Sequence, residues 1–330
     1  MTKPIETKKS PRIVVTGACG FIGSCFVQKL NSENFENIIA VDTFDNPIKL
    51  SYLINCQIGE RVNRDDFFAW IDANHGTVDY IVHLGAISDT TEADFALLQK
   101  YNTEYSKTLW EKCASYNIPI IFASSAATYG NGDFGYDDDE KLIPSLQPLN
   151  LYGVSKNDFD KWSLMQSSNP PNWHSLKFFN VYGKNEFHKG KMASVVLHAY
   201  NQIVRCGKMC LFKSKHPDFA DGQQLRDFIY VDDVLDILLW LMNSKPENGI
   251  YNVGTGQARS FFDLAKAVFS ALNLEPVIGY IDMPEYLVDK YQYFTEANID
   301  KLRAAGYKGK MTELEVGVKK YIHTLREYYV

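Results

Sequence analysis

Apolar residues recur in two rhythms along the first half of the chain. Arg12–Gly17 is a short apolar run closed by glycine, and over Gly20–Leu30 the positions Phe21, Ile22, Phe26, Val27 and Leu30 fall at helical spacing. Ile38–Asp42, Tyr80–His83 and Ile118–Ala123 are further apolar runs of the kind buried on both faces of a parallel sheet, with helical patterning over 94–116 between the last two. Strands alternating with helices predict an α/β fold with a doubly wound parallel sheet. A helix is expected over Leu151–Met165 and a strand over Ser175–Phe179. Beyond them the alternation weakens. Residues 183–225 mix loop signals with one apolar helix, Ala193–Val204, and 256–330 hold helical patterns at 260–272 and 311–328 around Pro276 and Pro284. These pieces predict a smaller mixed C-terminal lobe. The expected organisation is a polar tail at 1–11, a main domain over 12–182 to which 226–255 returns, and a lobe built from 183–225 and 256–330.

Composition narrows the function classes. At 330 residues, with 45% hydrophobic and 22% charged residues, the chain is long enough for an enzyme-sized core and shows neither a disordered nor a repetitive composition. A net charge of −6 argues against a nucleic-acid-binding face, so an anionic small molecule must find local positive charge. Six cysteines, Cys19, Cys25, Cys56, Cys113, Cys206 and Cys210, are scattered without a CxxC pair, so neither zinc nor a disulfide framework is expected and the thiols read as reduced, in a cytoplasmic protein. The opening MTKPIETKKSP lacks the apolar stretch of a signal peptide. The apolar segment Leu235–Met242 falls short of the about 20 residues that span a bilayer, and Asp232, Asp233 and Asp236 flank or interrupt it, so no membrane span is expected.

Three motifs carry candidate chemistry. Gly17-Ala18-Cys19-Gly20-Phe21-Ile22-Gly23 stands where a strand hands over to a helix, which is where glycines let the backbone turn and approach a pyrophosphate at free helix N–H groups. The spacing, GxxGxxG, departs from the GxGxxG form. Asp42, with Thr43 after it, ends the second strand, where a carboxylate accepts hydrogen bonds from an adenosine ribose. Taken alone Asp42 favours NAD; Lys49, seven residues on, reaches towards a 2′-phosphate and favours NADP, and from the residues the choice stays open. The third motif joins Ser124-Ser125-Ala126-Ala127-Thr128-Tyr129-Gly130 at a strand end to Tyr152-Gly153-Val154-Ser155-Lys156 on a helix. Tyr152 and Lys156, at i and i+4, share one face, so the ammonium is expected to lower the tyrosine pKa and hold the cofactor ribose, while a tyrosinate beside Ser125 takes the proton of a substrate alcohol.

Gly17–Gly23, Ser125, Tyr152 and Lys156, with Arg226-Asp227-Phe228-Ile229-Tyr230-Val231-Asp232-Asp233, resemble the extended short-chain dehydrogenase/reductase superfamily across nearly the whole chain, which implies a Rossmann-type NADP-binding domain and assigns Arg226 to a sugar-nucleotide diphosphate. Three stretches, His83–Glu92, Phe179–Gly183 running into His188-Lys189-Gly190-Lys191-Met192-Ala193-Ser194-Val195, and Leu302–Tyr307, resemble the ADP-glyceromanno-heptose 6-epimerase family within it. That resemblance implies that Leu84, Gly85, Ala86, Ile87, Ser88, Asn102 and Val181 touch the cofactor. It also implies that Asn180, Lys191, His198, Phe212 and Tyr291 line the substrate pocket with Ser125, and that Lys189 is a second catalytic base. The implied reaction inverts C6 of an ADP-heptose destined for lipopolysaccharide core, by transient oxidation on NADP, in a homo-oligomer, a pentamer by the same likeness. Lys191 departs from the small hydroxyl residue common in that family, and the loop from Phe212 to Arg226 reads as longer than usual.

Rival readings remain at this point. A nucleotide-sugar 4,6-dehydratase of this fold carries an Asp-Glu pair where this chain has Ala126 and Ala127. A nucleotide-hexose 4-epimerase shares Ser125, Tyr152 and Lys156 and differs in the pocket, whereas a non-catalytic dinucleotide-binding regulator is expected to lose the Tyr or Lys that this chain keeps.

Overall fold

The computed structural model describes residues 10–288 and 291–328. Its centre is a sheet of seven strands: β1 (Ile13–Thr16), β2 (Ile38–Asp42), β3 (Glu60–Asn63), β4 (Tyr80–His83), β5 (Ile120–Ser125), β6 (Trp173–Phe178) and, after three strands that belong elsewhere, β10 (Gly249–Val253). The order is β10-β6-β5-β4-β1-β2-β3 and every neighbouring pair is parallel. Two small sheets complete the fold: β7 (Asn180–Tyr182), β9 (Leu225–Tyr230) and β11 (Ala258–Ser260) in one, β8 (Met209–Phe212) and β12 (Ile278–Ile281) in the other. Of residues 226–255, therefore, Gly249–Val253 enters the large sheet, while Leu225–Tyr230 pairs with β7 and β11.

Alternation along each strand divides the core into two layers. Ile13, Val15, Ile38, Ala40, Tyr80, Val82 and Ile121 face one side, packed with the helices Phe21–Ser32 and Val231–Ser244 and with the C-terminal lobe. Val14, Ile39, Val41, Ile81, Ile120 and Phe122 face the other, packed against Phe67–Asn74, Tyr105–Tyr116 and Leu151–Leu164. Successive Cβ atoms of a strand point to opposite faces, so a strand covered by helices on both sides must be apolar at every position. That is why the central strands read as continuous apolar runs. β3, at the sheet edge, buries only Val62 of Glu-Arg-Val-Asn and leaves no such run to read. The helical stretch expected over 94–116 is broken into two α segments by a π turn at Gln99–Glu104. No helix among the described residues is long and apolar enough to cross a membrane.

The opposite edge is closed by side chains. β10 exposes backbone N–H groups that a further strand would pair. Instead Asn252 N donates to Asp138 Oδ2 at 2.7 Å and Ile250 N to Glu140 Oε1 at 3.0 Å, and Lys301 Nζ bridges Glu140 and the Ile250 carbonyl. Burial pushes the Asp138 carboxyl up to about 6, with the Asn252 N–H and Lys301 opposing. A carboxyl whose folded-state pKa is raised contributes most below its unfolded value and loses that contribution as pH rises through the folded one. Stability measured by urea unfolding should therefore fall by about 2–3 kcal/mol from this group alone between about pH 4 and 7. Asp138→Asn keeps the acceptor oxygen and should lack that fall, so the difference between variant and wild type should grow across the window and then level off.

Candidate active site

The carboxyl ends of β1, β2, β4 and β5 converge on one rim, and chain order reverses about β1, which is flanked by β2 and β4. In open α/β sheets that crevice takes the ligand. Gly17 turns out of β1 with φ +64°, and a Cβ there would lie 2.7 Å from the Gly85 Cα; a Cβ on Gly23 would strike the Gly17 carbonyl oxygen. Three backbone segments meet where no side chain fits. The helix Phe21–Ser32 begins at once from Gly20, without a side-chain cap and without an acidic residue in its first turn. Its first N–H groups and positive dipole end are thus free of carboxylates, as a pyrophosphate site requires.

The rim around this turn carries both signs of charge. Asp42 is buried at the end of β2, accepting from Cys19 N at 2.9 Å through Oδ2 and from Thr43 N at 2.8 Å through Oδ1. The Thr43 hydroxyl holds the Asp45 carboxyl below its ordinary range, with Lys49 and Arg64 adding to the effect. Burial and Asp42 push the Cys19 thiol up to about 12, against Lys49 and Arg61. Two arginines stand on β3 and the turn after it: Arg61 lies 5.9 Å from the Phe44 ring centroid, and Arg64 lies 4.0 Å over the Tyr101 ring and pairs with Asp65 at 3.2 Å. Sequence reading missed Arg61 and Arg64, because their strand left no apolar signal.

The loop after β4 lines the other side. Thr16 Oγ1 contacts His83 Nδ1 at 2.6 Å and accepts from Gly85 N at 3.2 Å. Burial, with Lys156 adding, lowers His83 to about 3, so the ring stays neutral. Asn102, carried by the π turn, donates to the Ile87 carbonyl and Ser155 Oγ, each at 3.0 Å, and accepts from Ile87 N at 2.8 Å. The wider turn lets this side chain brace Leu84–Ser88 from behind. A period-3.6 pattern does not reveal it.

At the end of β5, Ser125 caps a short turn, Ala126–Tyr129, its Oγ accepting from Ala127 N at 3.1 Å. Asn150 caps the helix Leu151–Leu164 by accepting from Gly153 N at 2.8 Å. Gly153 packs so closely that a Cβ would meet the Ala127 carbonyl oxygen at 2.8 Å. This approach seats Tyr152 beside Ser125, close enough for the seryl hydroxyl to act on the phenol. Lys156 is buried one turn on, its Nζ donating to the Ala123 carbonyl at 2.9 Å, and burial depresses its ammonium to about 8. The expected lowering of Tyr152 by Lys156 is corrected here: burial raises the Tyr152 hydroxyl, and Ser125 opposes that rise. The lysine's proton is turned to a backbone carbonyl rather than to the phenol.

The smaller lobe supplies the remaining candidates. Lys189 lies in the turn Phe187–Met192, with its ammonium 5.6 Å from the Phe21 ring centroid, and burial lowers its pKa against Glu186. The same turn reaches the β4 loop through Thr90 and Met192, and the segment after β2 through Tyr52, whose hydroxyl accepts from His188 N at 3.2 Å. Buried Glu186 accepts from Ser194 N at 2.5 Å and Ser194 Oγ at 2.6 Å, fixing the start of the helix Val195–Cys206. His198 Nε2 donates to the Lys191 carbonyl at 3.2 Å, while the Lys191 side chain is exposed. Phe212 and Tyr291 meet edge to face at 6.3 Å, and the Arg226 guanidinium lies 5.2 Å from the Tyr291 ring, donating to the Leu225 and Gln292 carbonyls. Asn180 stands exposed at the first position of β7, followed by Val181. The structure thus puts Tyr152 beside Ser125 with Lys156 one helical turn on, and brings Phe212, Tyr291 and Arg226 together in the lobe, while Lys189 packs on Phe21 and His198 bonds to the Lys191 backbone.

Comparison with known proteins gives this geometry a family. Residues 13–254 match the model of the NAD dependent epimerase/dehydratase family. An ADP-L-glycero-D-manno-heptose-6-epimerase of Nitratidesulfovibrio vulgaris (strain DP4) is 50% identical over 313 residues, covering 94% of this chain and 96% of that protein. One of Fusobacterium nucleatum subsp. nucleatum is 46% identical over 320 residues, with 94% and 96% covered. The crystal structure of the Helicobacter pylori ADP-L-glycero-D-manno-heptose-6-epimerase superposes with a TM-score of 0.81 at 28% identity, covering 98% of this chain and 99% of that one. With its glycine turn, its Ser-Tyr-Lys group and this near-complete overlap, the chain belongs to the NAD dependent epimerase/dehydratase family and, within it, to the ADP-L-glycero-D-manno-heptose-6-epimerases.

Proposed function

We propose that this protein inverts C6 of ADP-D-glycero-D-manno-heptose to give the L-glycero epimer, by transient oxidation and reduction at that carbon with NADP as resident cofactor. The observation that supports the reading is Tyr152 beside Ser125, with Lys156 buried one helical turn on, in a chain that also carries the glycine turn and is 50% identical to a protein of that name. C6 carries a hydroxyl and has no adjacent carbonyl, so its C–H bond is not acidic enough for inversion by proton exchange. A nicotinamide held there would supply reversible hydride transfer at C6, so that no outside oxidant would be consumed.

The cradle fits that cofactor: a Cβ on Gly17 or Gly23 would fill it, and the helix behind it offers uncapped N–H groups. Asp42 would hold the adenosine ribose, with Lys49, Arg61 and Arg64 supplying positive charge for a 2′-phosphate. Leu84–Ser88, Asn102 and Val181 would hold the nicotinamide side. Lys156 would bind its ribose, turning from the Ala123 carbonyl to do so.

Tyr152 takes the proton from the C6 hydroxyl of one epimer and Lys189, as an ammonium, gives a proton to the oxygen of the other, and exchange with solvent resets both before the next turnover. Burial lowers Lys189 towards the range in which an amine works as a base near neutral pH. Arg226, walled by Tyr291 and Phe261, would grip the diphosphate, with Asn180, His198 and Phe212 around the rest of the nucleotide sugar.

Incubation of the holoenzyme with ADP-D-glycero-D-manno-heptose, followed by NMR, should show conversion to the epimer; an unchanged spectrum from cofactor-loaded protein rejects the reading. Tyr152→Phe and Lys189→Met should each slow interconversion by about 10²–10⁴-fold with cofactor retained. Reaction in D₂O should leave C6 free of deuterium.

Lys49→Ala and Arg64→Ala should each weaken NADP by about 10-fold or more while leaving NAD affinity nearly unchanged, because each removes a charge-assisted contact to the 2′-phosphate alone. Equal losses for both dinucleotides in a direct titration would remove these residues from that corner.

A further inference from the structure

Behind the Ser-Tyr-Lys group lies an ion pair to which neither the motifs nor the proposed chemistry gives a task. Tyr152, Lys156 and Asp160 follow one another at four-residue intervals on one face of the helix Leu151–Leu164. Asp160 and Lys177 are both fully buried, 2.8 Å apart, with Lys177 standing on β6 directly opposite Ser124 of β5. Asp160 Oδ2 also accepts from Ser124 Oγ at 2.6 Å, and Oδ1 accepts from Ser175 Oγ at 2.8 Å. Lys177 Nζ donates to Thr128 Oγ1 at 2.6 Å and stands 5.1 Å from the Tyr129 ring centroid. Thr128 Oγ1 in turn donates to the Ser125 carbonyl at 2.8 Å.

The contacts form a closed chain. It starts on the helix that carries Tyr152 and Lys156, crosses to β6 through Asp160 and Lys177, and ends on Ser125 through Thr128. Burying two charges is costly, and a well-packed apolar pair of similar volume is often no less stable. Stability alone therefore gives no reason for the pair. A fixed geometry does, because every hydrogen bond in the chain constrains direction as well as distance.

We propose that Asp160 and Lys177 are positioning residues for the proton-transfer group, holding Ser125 against Tyr152 and setting the charge environment of Tyr152 and Lys156. The inference rests on the reading of Tyr152 as the proton-transferring residue. Asp160 raises the pKa of both Tyr152 and Lys156, and the Lys177 ammonium beside it moderates that negative charge. The other titratable groups facing this cluster are His83 on β4, held neutral by burial, and Asp138, which acts on Lys177 from the loop beyond Tyr129.

The test uses full-length holoenzyme labelled with ¹³Cζ-tyrosine, the Tyr152 signal being assigned by its loss in Tyr152→Phe. In Lys177→Met the Tyr152 titration should move to higher pH, and in Asp160→Asn to lower pH. In both, kcat for the ADP-heptose should fall about 10²-fold from misplacement of the acting groups, with KM and cofactor content nearly unchanged. Lys177→Arg should recover most of kcat. If Lys177→Met does not fold, Thr128→Val cuts only the link to Ser125, and the same fall in kcat with unchanged KM is expected of it. A wild-type kcat and an unmoved Tyr152 titration in folded variants, including Thr128→Val, would overturn the proposal. Should the wild type fail to turn over ADP-heptose, the reading of the reaction falls, and the opposite titration shifts of Lys177→Met and Asp160→Asn still decide the positioning role.

Discussion

The structure depends on a place where three stretches of backbone touch with no room for a side chain. Gly17, Gly23 and Gly85 bring the end of β1, the first turn of its helix and the loop after β4 to van der Waals distance. Everything that follows uses that closeness. The helix N-terminus stands over the sheet rim, Thr16 and His83 link the two strand ends, and the β4 loop is drawn in where Asn102 braces it. A methyl group at Gly17 or Gly23 would push these elements apart. The glycine turn is therefore a consequence of packing, and a helix start of this kind attracts anions through uncapped N–H groups rather than through any single side chain.

On that frame the reactive groups are held from behind by polar contacts in a dry interior. Beside Ser125, Tyr152 and Lys156, the groups proposed to act, Thr128, Asp160 and Lys177 have their hydrogen-bonding groups paired to one another. In a low-dielectric interior such bonds are strong, and an unpaired member is expensive, so the arrangement has few alternatives. Burial shifts the Lys156 and Lys189 ammonium groups downward, towards the range where proton exchange is easy near neutral pH. The smaller lobe adds Lys189 by folding the turn Phe187–Met192 against Phe21, with Glu186 clamping Ser194 behind it.

The amino-acid pattern alone determined the doubly wound sheet, since strands covered on both faces must be apolar throughout and leave runs that periodicity detects. It also located the glycine turn, Ser125, Tyr152 and Lys156, because turn, strand end and helix face place those residues by short-range geometry. Likeness to known epimerases brought in Lys189, Arg226 and the pocket residues, which no local pattern marks. Only the tertiary structure decided that Arg61 approaches Phe44 and that Arg64 lies over Tyr101, since they come from an edge strand with a single buried residue and the turn after it. It decided that a π turn aims Asn102, and that Asp160 and Lys177, 17 positions apart, neutralise each other behind the site. It also decided that Lys156 spends its proton on the Ala123 carbonyl while Ser125 meets Tyr152, reversing the expected direction of the phenol's shift. For Asn102, for Asp160 with Lys177 and for Lys156 the physical reason is the same: each depends on which distant groups share a desolvated space, and sequence spacing carries no measure of solvent.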